Sequence, residues 1–191
     1  MTARWLIPAA LVIAGTVHQA AAVRQVKSLY TVIDLKSCKT VKGSANGEAW
    51  SCGGLPDYPV FVAEGDLKTY LSVGGGAELR RAATQTLRSI NTVFEANSNR
   101  AAVEWRFIIR DGKTLPYATI VRYFTRSGTR RGEVLVVMRV TEKEACHVAY
   151  IDAVANTDAI VLARRIADER ARAFNCTSEP APVGAVGKSP M

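Results

Sequence analysis

The chain has 191 residues, 48% apolar and 22% charged, with 25 Lys plus Arg against 17 Asp plus Glu, a formal net charge of +8. Those values fit one globular domain and exclude a collagen-like, disordered or multi-span membrane protein. Two histidines, three methionines and four cysteines leave few side chains for metal or nucleophilic chemistry.

Residues 1–22 read as a secretory signal. Arg4 supplies the positive start, Trp5 to Val17 form a mostly apolar run of 13 residues, and Ala20-Ala21-Ala22 offers a small-x-small cleavage site before Val23. A run that short, broken by Pro8 and Gly15, falls below the roughly 20 residues of a membrane helix. Export to the periplasm or beyond is therefore expected, with residues 23–29 as a lead-in and no transmembrane segment after cleavage. Removing the signal takes away Arg4 and His18 and no acid, which leaves +7 and His147 as the only histidine.

From Tyr30 to Val73 the pattern is one of short strands (YTVIDL, AWSC, PVFVA and LKTYLSV), with Glu64-Gly65-Asp66 turning the last pair. Gly74-Gly75-Gly76 interrupts it. Leu79, Ala83, Leu87, Ile90 and Phe94 then recur at steps of three or four, which predicts an amphipathic helix over 77–96. Next comes an alternating run in which Val103, Trp105, Phe107 and Ile109 oppose Glu104, Arg106 and Arg110. Asp111-Gly112 turns the chain into YATIVRYF, and Ser127-Gly128 turns it again into EVLVVMRV, whose Val134, Val136, Met138 and Val140 share a face. CHVAYIDAV adds a fourth strand. Residues 158–175 carry a last helix that buries Leu162, Ile166 and Phe174. The stretch 177–191, with three prolines and two glycines, predicts a disordered tail.

Element lengths select a cysteine pairing. A nine-residue strand from Cys146 runs about 30 Å at 3.3 Å per residue, and the following 18-residue helix returns about 27 Å at 1.5 Å per residue. Cys176 therefore lands beside Cys146, and Cys38 pairs with Cys52. Loop entropy gives about 3 kcal/mol for the shorter loop and about 3.5–4 for the longer. Neither pair has C-x-x-C spacing, which argues against zinc and against a thiol oxidoreductase.

The fold expected is a single α+β domain over residues 30–176, an antiparallel β-meander packed by an internal amphipathic helix and a C-terminal helix. Its element order resembles cystatin-like and nuclear-transport-factor-like folds. The strings YTVIDLKSC, LPDYPVFVAEGDL, VEWRFIIRDGKTLPYATIVRYF and CHVAYIDAVANTDAIVLARRIADERARAFNC resemble small exported proteins of Gram-negative, alphaproteobacterial species. That resemblance implies a periplasmic home and carries no catalytic residue across.

Candidate chemistry is sparse. His147 lacks the sequence context of a triad or a metal motif, so a structural strand histidine is the simpler reading, on one face with Ala149 and Ile151. Glu64 with Asp66, and Asp152 or Glu104 inside apolar strands, are the carboxylates a hydrolase would use. A buried Asp152 would have a raised pKa unless an arginine pairs with it. Gly74-Gly75-Gly76 before Arg80-Arg81 matches no phosphate-binding fingerprint, and a flexible hinge is the simpler reading.

The basic density says more. Between Arg100 and Arg131 eight cations face only Glu104 and Asp111. Arg106, Arg110 and Arg122 come from adjacent strands, Arg126, Arg130 and Arg131 crowd one turn, and Trp105, Tyr117 and Tyr123 interleave. Such a patch is suited to an anionic envelope component or an acidic partner protein, and export argues against nucleic acid as its physiological ligand. The plainer alternative is a solvated basic face. The reading reached is a non-catalytic binding domain with no metal and no cofactor. A small carboxylate hydrolase and an inhibitor of a secreted enzyme are the alternatives.

Overall fold

A computed structural model describes residues 26–42, 44 and 47–191. The expected signal, residues 1–22, lies outside the described residues. In chain order the strands are β1 (Val26–Asp34), β2 (Lys39–Val41), β3 (Glu48–Leu55), β4 (Tyr58–Gly65), β5 (Lys68–Val73), β6 (Ile90–Thr92), β7 (Arg100–Arg110), β8 (Lys113–Ser127), β9 (Arg130–Val140), β10 (Ala145–Asp152) and β11 (Ala181–Pro182). One α-helix, α1 (Ala159–Arg170), follows β10 and ends in a 3-10 turn at Ala171–Ala173. The lead-in is shorter than expected, because Val26 already pairs with Ile108 of β7.

The class is α+β. β7 to β10 form the antiparallel meander, with β1 and β11 at its edges and β6 added to the end of β8; β2 to β5 form a second antiparallel sheet. Apolar side chains of both sheets meet in one core, where Val60, Val62 and Leu71 pack with Val103, Trp105, Val121, Val134, Val136 and Met138. The other face of the large sheet carries α1, which buries Ala163, Ile166 and Ala167 against Ile120, Leu135, Val137 and Ile151. β9 is thus covered on both faces. That explains its unbroken apolar run, since Val134, Val136, Met138 and Val140 enter one core while Leu135 and Val137 enter the other.

Both disulfides form as the element lengths predict, Cys38–Cys52 and Cys146–Cys176, and no cysteine is free. The long run from Cys146 to Cys176 goes out along β10 and back along α1. Among the described residues no helix is long and apolar enough to cross a membrane.

The internal helix expected over 77–96 does not form. Ala77–Leu79 and Arg81–Thr84 are 3-10 turns, and residues 90–92 pair with β8 as β6. The apolar spacing is met by an extended wrap, in which Leu87, Val93 and Phe94 are buried while Leu79 is 85% exposed. Thr84, Thr86, Ser89, Asn91 and Thr92 are weak helix formers whose side chains compete for backbone groups. Asn91 does so directly: Oδ1 accepts the Thr69 N–H at 3.2 Å, and Nδ2 donates to the Ser89 carbonyl at 2.8 Å.

The tail is ordered, contrary to the compositional expectation. Ala181–Pro182 pairs in parallel with Ala149 and Tyr150, and the Val183 N–H donates to the Tyr150 carbonyl at 2.9 Å. Asn156 brackets Ala185 with two hydrogen bonds of 2.8 and 3.0 Å. Ser189 is buried, and a Cβ on the neighbouring Gly132 would lie 2.5 Å from it. Polar pairing and a disulfide one residue upstream of the tail hold what few apolar contacts alone would not.

Candidate functional site

The structure divides the six arginines. Arg106, on β7, donates to both carboxylate oxygens of Asp168 on α1, at 3.0 and 2.6 Å. Tyr117 Oη donates to the same carboxylate at 2.6 Å, and the Arg172 guanidinium lies 4.0 Å from the Tyr117 ring centre. Burial and that carboxylate push the Tyr117 phenol up to about 12. Arg122 pairs with Glu133. Arg110 is paired with Lys113 beside the 111–112 turn, at the far end of β8 from Arg126. That is about 40 Å along a strand rising 3.3 Å per residue, well beyond a screening length of about 10 Å. The aromatics do not face solvent either: Trp105, Tyr117 and Tyr123 are buried. One shared basic face, the arrangement expected from the sequence, is therefore not what the fold builds.

Arg126, Arg130 and Arg131 do cluster. Arg126 and Arg131 are directly opposed across the β8–β9 ladder, and all three are exposed. Arg126 and Arg131 border a groove of about 640 Å³ between the β8–β9 end and the β4–β5 turn, which Lys68 lines from the other side. Among the described residues none of Lys68, Arg126, Arg130 and Arg131 has an ion-pair partner. Leu67, Ile90 and Phe124 supply its apolar wall. Glu64 is the one acid in the lining; its carboxyl lies 3.4 Å from the Thr69 hydroxyl, and burial, with Glu48 nearby, raises its pKa. A second groove, about 710 Å³, sets Lys113 against two acids, Asp57 and Glu142, and so presents no excess positive charge.

Lys68 and Leu67 were invisible to sequence reasoning, because their partners come from another hairpin. The Asn91 N–H donates to the Leu67 carbonyl at 3.1 Å, and β6, which holds Asn91, pairs with β8. That chain of contacts brings the β4–β5 turn to the arginines. The turn itself is Asp66-Leu67, one residue later than expected, with both residues left-handed at φ 52° and 61°. A left-handed backbone costs a side-chain-bearing residue roughly 1–2 kcal/mol. Leu67→Gly is therefore expected to stabilise the fold by about 1 kcal/mol, raising Tm by about 2–4 °C. A fall in Tm would mean that Leu67 packs against the fold.

The catalytic candidates are engaged elsewhere. The β9–β10 register slips between His147 and Ala149, so His147 faces Met138 and the inter-sheet core, while Ala149 and Ile151 face the helix. Alternation had placed all three together, and the bulge is why it fails. His147 is fully buried, its Nδ1 is 3.0 Å from Tyr150 Oη, and burial pushes its pKa down to about 3. Glu104, also buried, accepts from Arg164 Nε at 2.7 Å and from Tyr30 Oη at 2.9 Å. Among the described residues Asp152 is paired with no arginine. It accepts backbone N–H groups of Val154, Ala155, Lys188 and Ser189 and the Ser189 hydroxyl. Burial works to raise its pKa, but the bonds from Ser189, Ala155 and Lys188 outweigh it, and the pKa lies below the ordinary value. At the glycine run, Arg80 donates to the Gly75 and Glu142 carbonyls, and Arg81 pairs with Glu179.

Comparison with known families, with curated proteins and with solved structures finds no match to this chain.

Proposed function

We propose that the protein is an exported, non-catalytic domain that binds an anionic component of the cell envelope in the groove between the β4–β5 and β8–β9 turns. One observation carries the reading: Arg126 opposes Arg131, Lys68 lines the same groove, and among the described residues none of the three forms an ion pair, so three cations face the single acid Glu64. Like charges placed opposite one another across a ladder are destabilising, and a bound anion offsets that repulsion. The signal-like start and the pairing of all four cysteines support an oxidising, extracytoplasmic setting.

The test is binding to immobilised heparin, a soluble-chain polyanion, across a salt series. The parent is retained at low salt and released as salt rises. Replacing Arg126 and Arg131 together by Gln weakens retention about 30-fold, at roughly 1 kcal/mol for each cation near an anionic surface. The melting temperature stays within about 2 °C, since exposed cations contribute little to stability. Undiminished retention in the double variant would overturn the assignment to this groove.

A further inference from the structure

We infer that the groove takes an anionic lipid, with the phosphate against Arg126, Arg131 and Lys68 and with Leu67 seated among the acyl chains. This rests on the reading of the groove as an anion site and names its ligand class. The new observation is Leu67. It is 70% exposed at the tip of a two-residue turn, in a left-handed conformation that disfavours a branched apolar side chain.

The molecule supplies its own comparison. At the β7–β8 turn the same left-handed pair is Asp111-Gly112, the residues such a turn favours. At the β4–β5 turn a leucine replaces the glycine. It makes the turn harder to form and leaves a large apolar side chain in water. Neither consequence helps folding, so the residue is explained by what it meets outside the fold.

The surroundings fit an amphiphile rather than a bare anion. Leu67, Ile90 and Phe124 form an apolar wall directly beside the cations Lys68, Arg126 and Arg131. A polar anion or an acidic peptide would engage the charges and leave that wall wet. A phospholipid surface meets both, its headgroups pairing with the arginines while the leucine enters the interface. The tip is also held rather than loose, because the Leu67 carbonyl accepts the Asn91 N–H at 3.1 Å. Leucine is therefore presented beside the charges in a fixed geometry.

The experiment compares flotation with vesicles of phosphatidylglycerol in phosphatidylcholine, flotation with pure phosphatidylcholine vesicles, and heparin retention. The parent floats with the phosphatidylglycerol vesicles and not with the neutral ones. Leu67→Asn, which retains a residue tolerant of left-handed backbone, lowers vesicle affinity about tenfold and leaves heparin retention within twofold. Equal vesicle affinity for Leu67→Asn and the parent would overturn the lipid. So would heparin retention without flotation, which leaves the anion site standing and points to an acidic polymer or protein. Failure on both heparin and vesicles would remove the anion site and the lipid together.

Discussion

Removing residues 177–191 is expected to destabilise the domain by about 3–5 kcal/mol, on the scale of stripping the partners from a buried charge. For a chain of this size that lowers Tm by roughly 10 °C. The tail is the counterpart of Asp152, whose carboxylate is fully buried at the end of β10. Lys188 N, Ser189 N and Ser189 Oγ donate to it at 2.8, 2.8 and 2.6 Å. Truncation takes away three of its five donors, since only Val154 and Ala155 remain. It also withdraws Met191 from the inter-sheet core and leaves the Glu133 N–H without the Ser189 oxygen. Asp152→Asn tests the same clamp with the chain intact, because an amide nitrogen then meets N–H donors.

The pH dependence follows from the direction of the Asp152 shift. Its native pKa is held below the ordinary aspartate value, so its contribution is complete above about pH 4, the unfolded range. It is lost as pH falls through the depressed native value. The stability gap between the parent and Asp152→Asn is therefore wide at pH 7 and narrows on acidification. A truncated protein melting within 2 °C of the parent would show that the tail does not dock. A gap that stayed constant from pH 7 to pH 3 would show that the ionised carboxylate is not what the tail binds.

The tail and the failed helix share a cause, and it explains how far the sequence could be read. Periodicity reports which residues are apolar and at what spacing, so the meander, the shared face of Val134, Val136, Met138 and Val140 and the return of α1 to Cys146 were legible from it. It does not report hydrogen bonds made by side chains to distant backbone. Asn91 holds Thr69 and Ser89 and so replaces helix with wrap; Asp152 holds Lys188 and Ser189 and so replaces disorder with order. Both residues looked like ordinary polar letters. The arginines failed differently. Their density was read correctly, but charge alone does not reveal which cations face carboxylates across the fold. Asp168 lies 62 residues from Arg106 and claims it, and Lys68 reaches the groove only because β6 joins β8.

That division of the arginines makes a prediction opposite in sense for two residues of the same type. Arg106→Gln is expected to cost about 3 kcal/mol, as removal of one partner from a largely buried pair does. The Arg106 side chain is only 11% exposed, and it joins Asp168 on α1 to the sheet. Burial alone would lower its pKa, yet the hydrogen bonds and charge of Asp168 raise it, so the charged form is the one the fold stabilises. Without it, Glu104 keeps Arg164 and Asp168 keeps Tyr117, which limits the loss without cancelling it. Arg106→Lys keeps the charge but not the paired donors, and should recover part of the deficit. The readout separates structure from binding. Arg106→Gln should melt about 6–12 °C lower yet bind heparin within twofold of the parent at a temperature where both are folded. The groove arginines should behave in reverse, with binding lost and melting unchanged. If Arg106→Gln instead loses heparin binding while its Tm is unchanged, the helix contact is not structural, and the anion site lies against α1 rather than between the two turns.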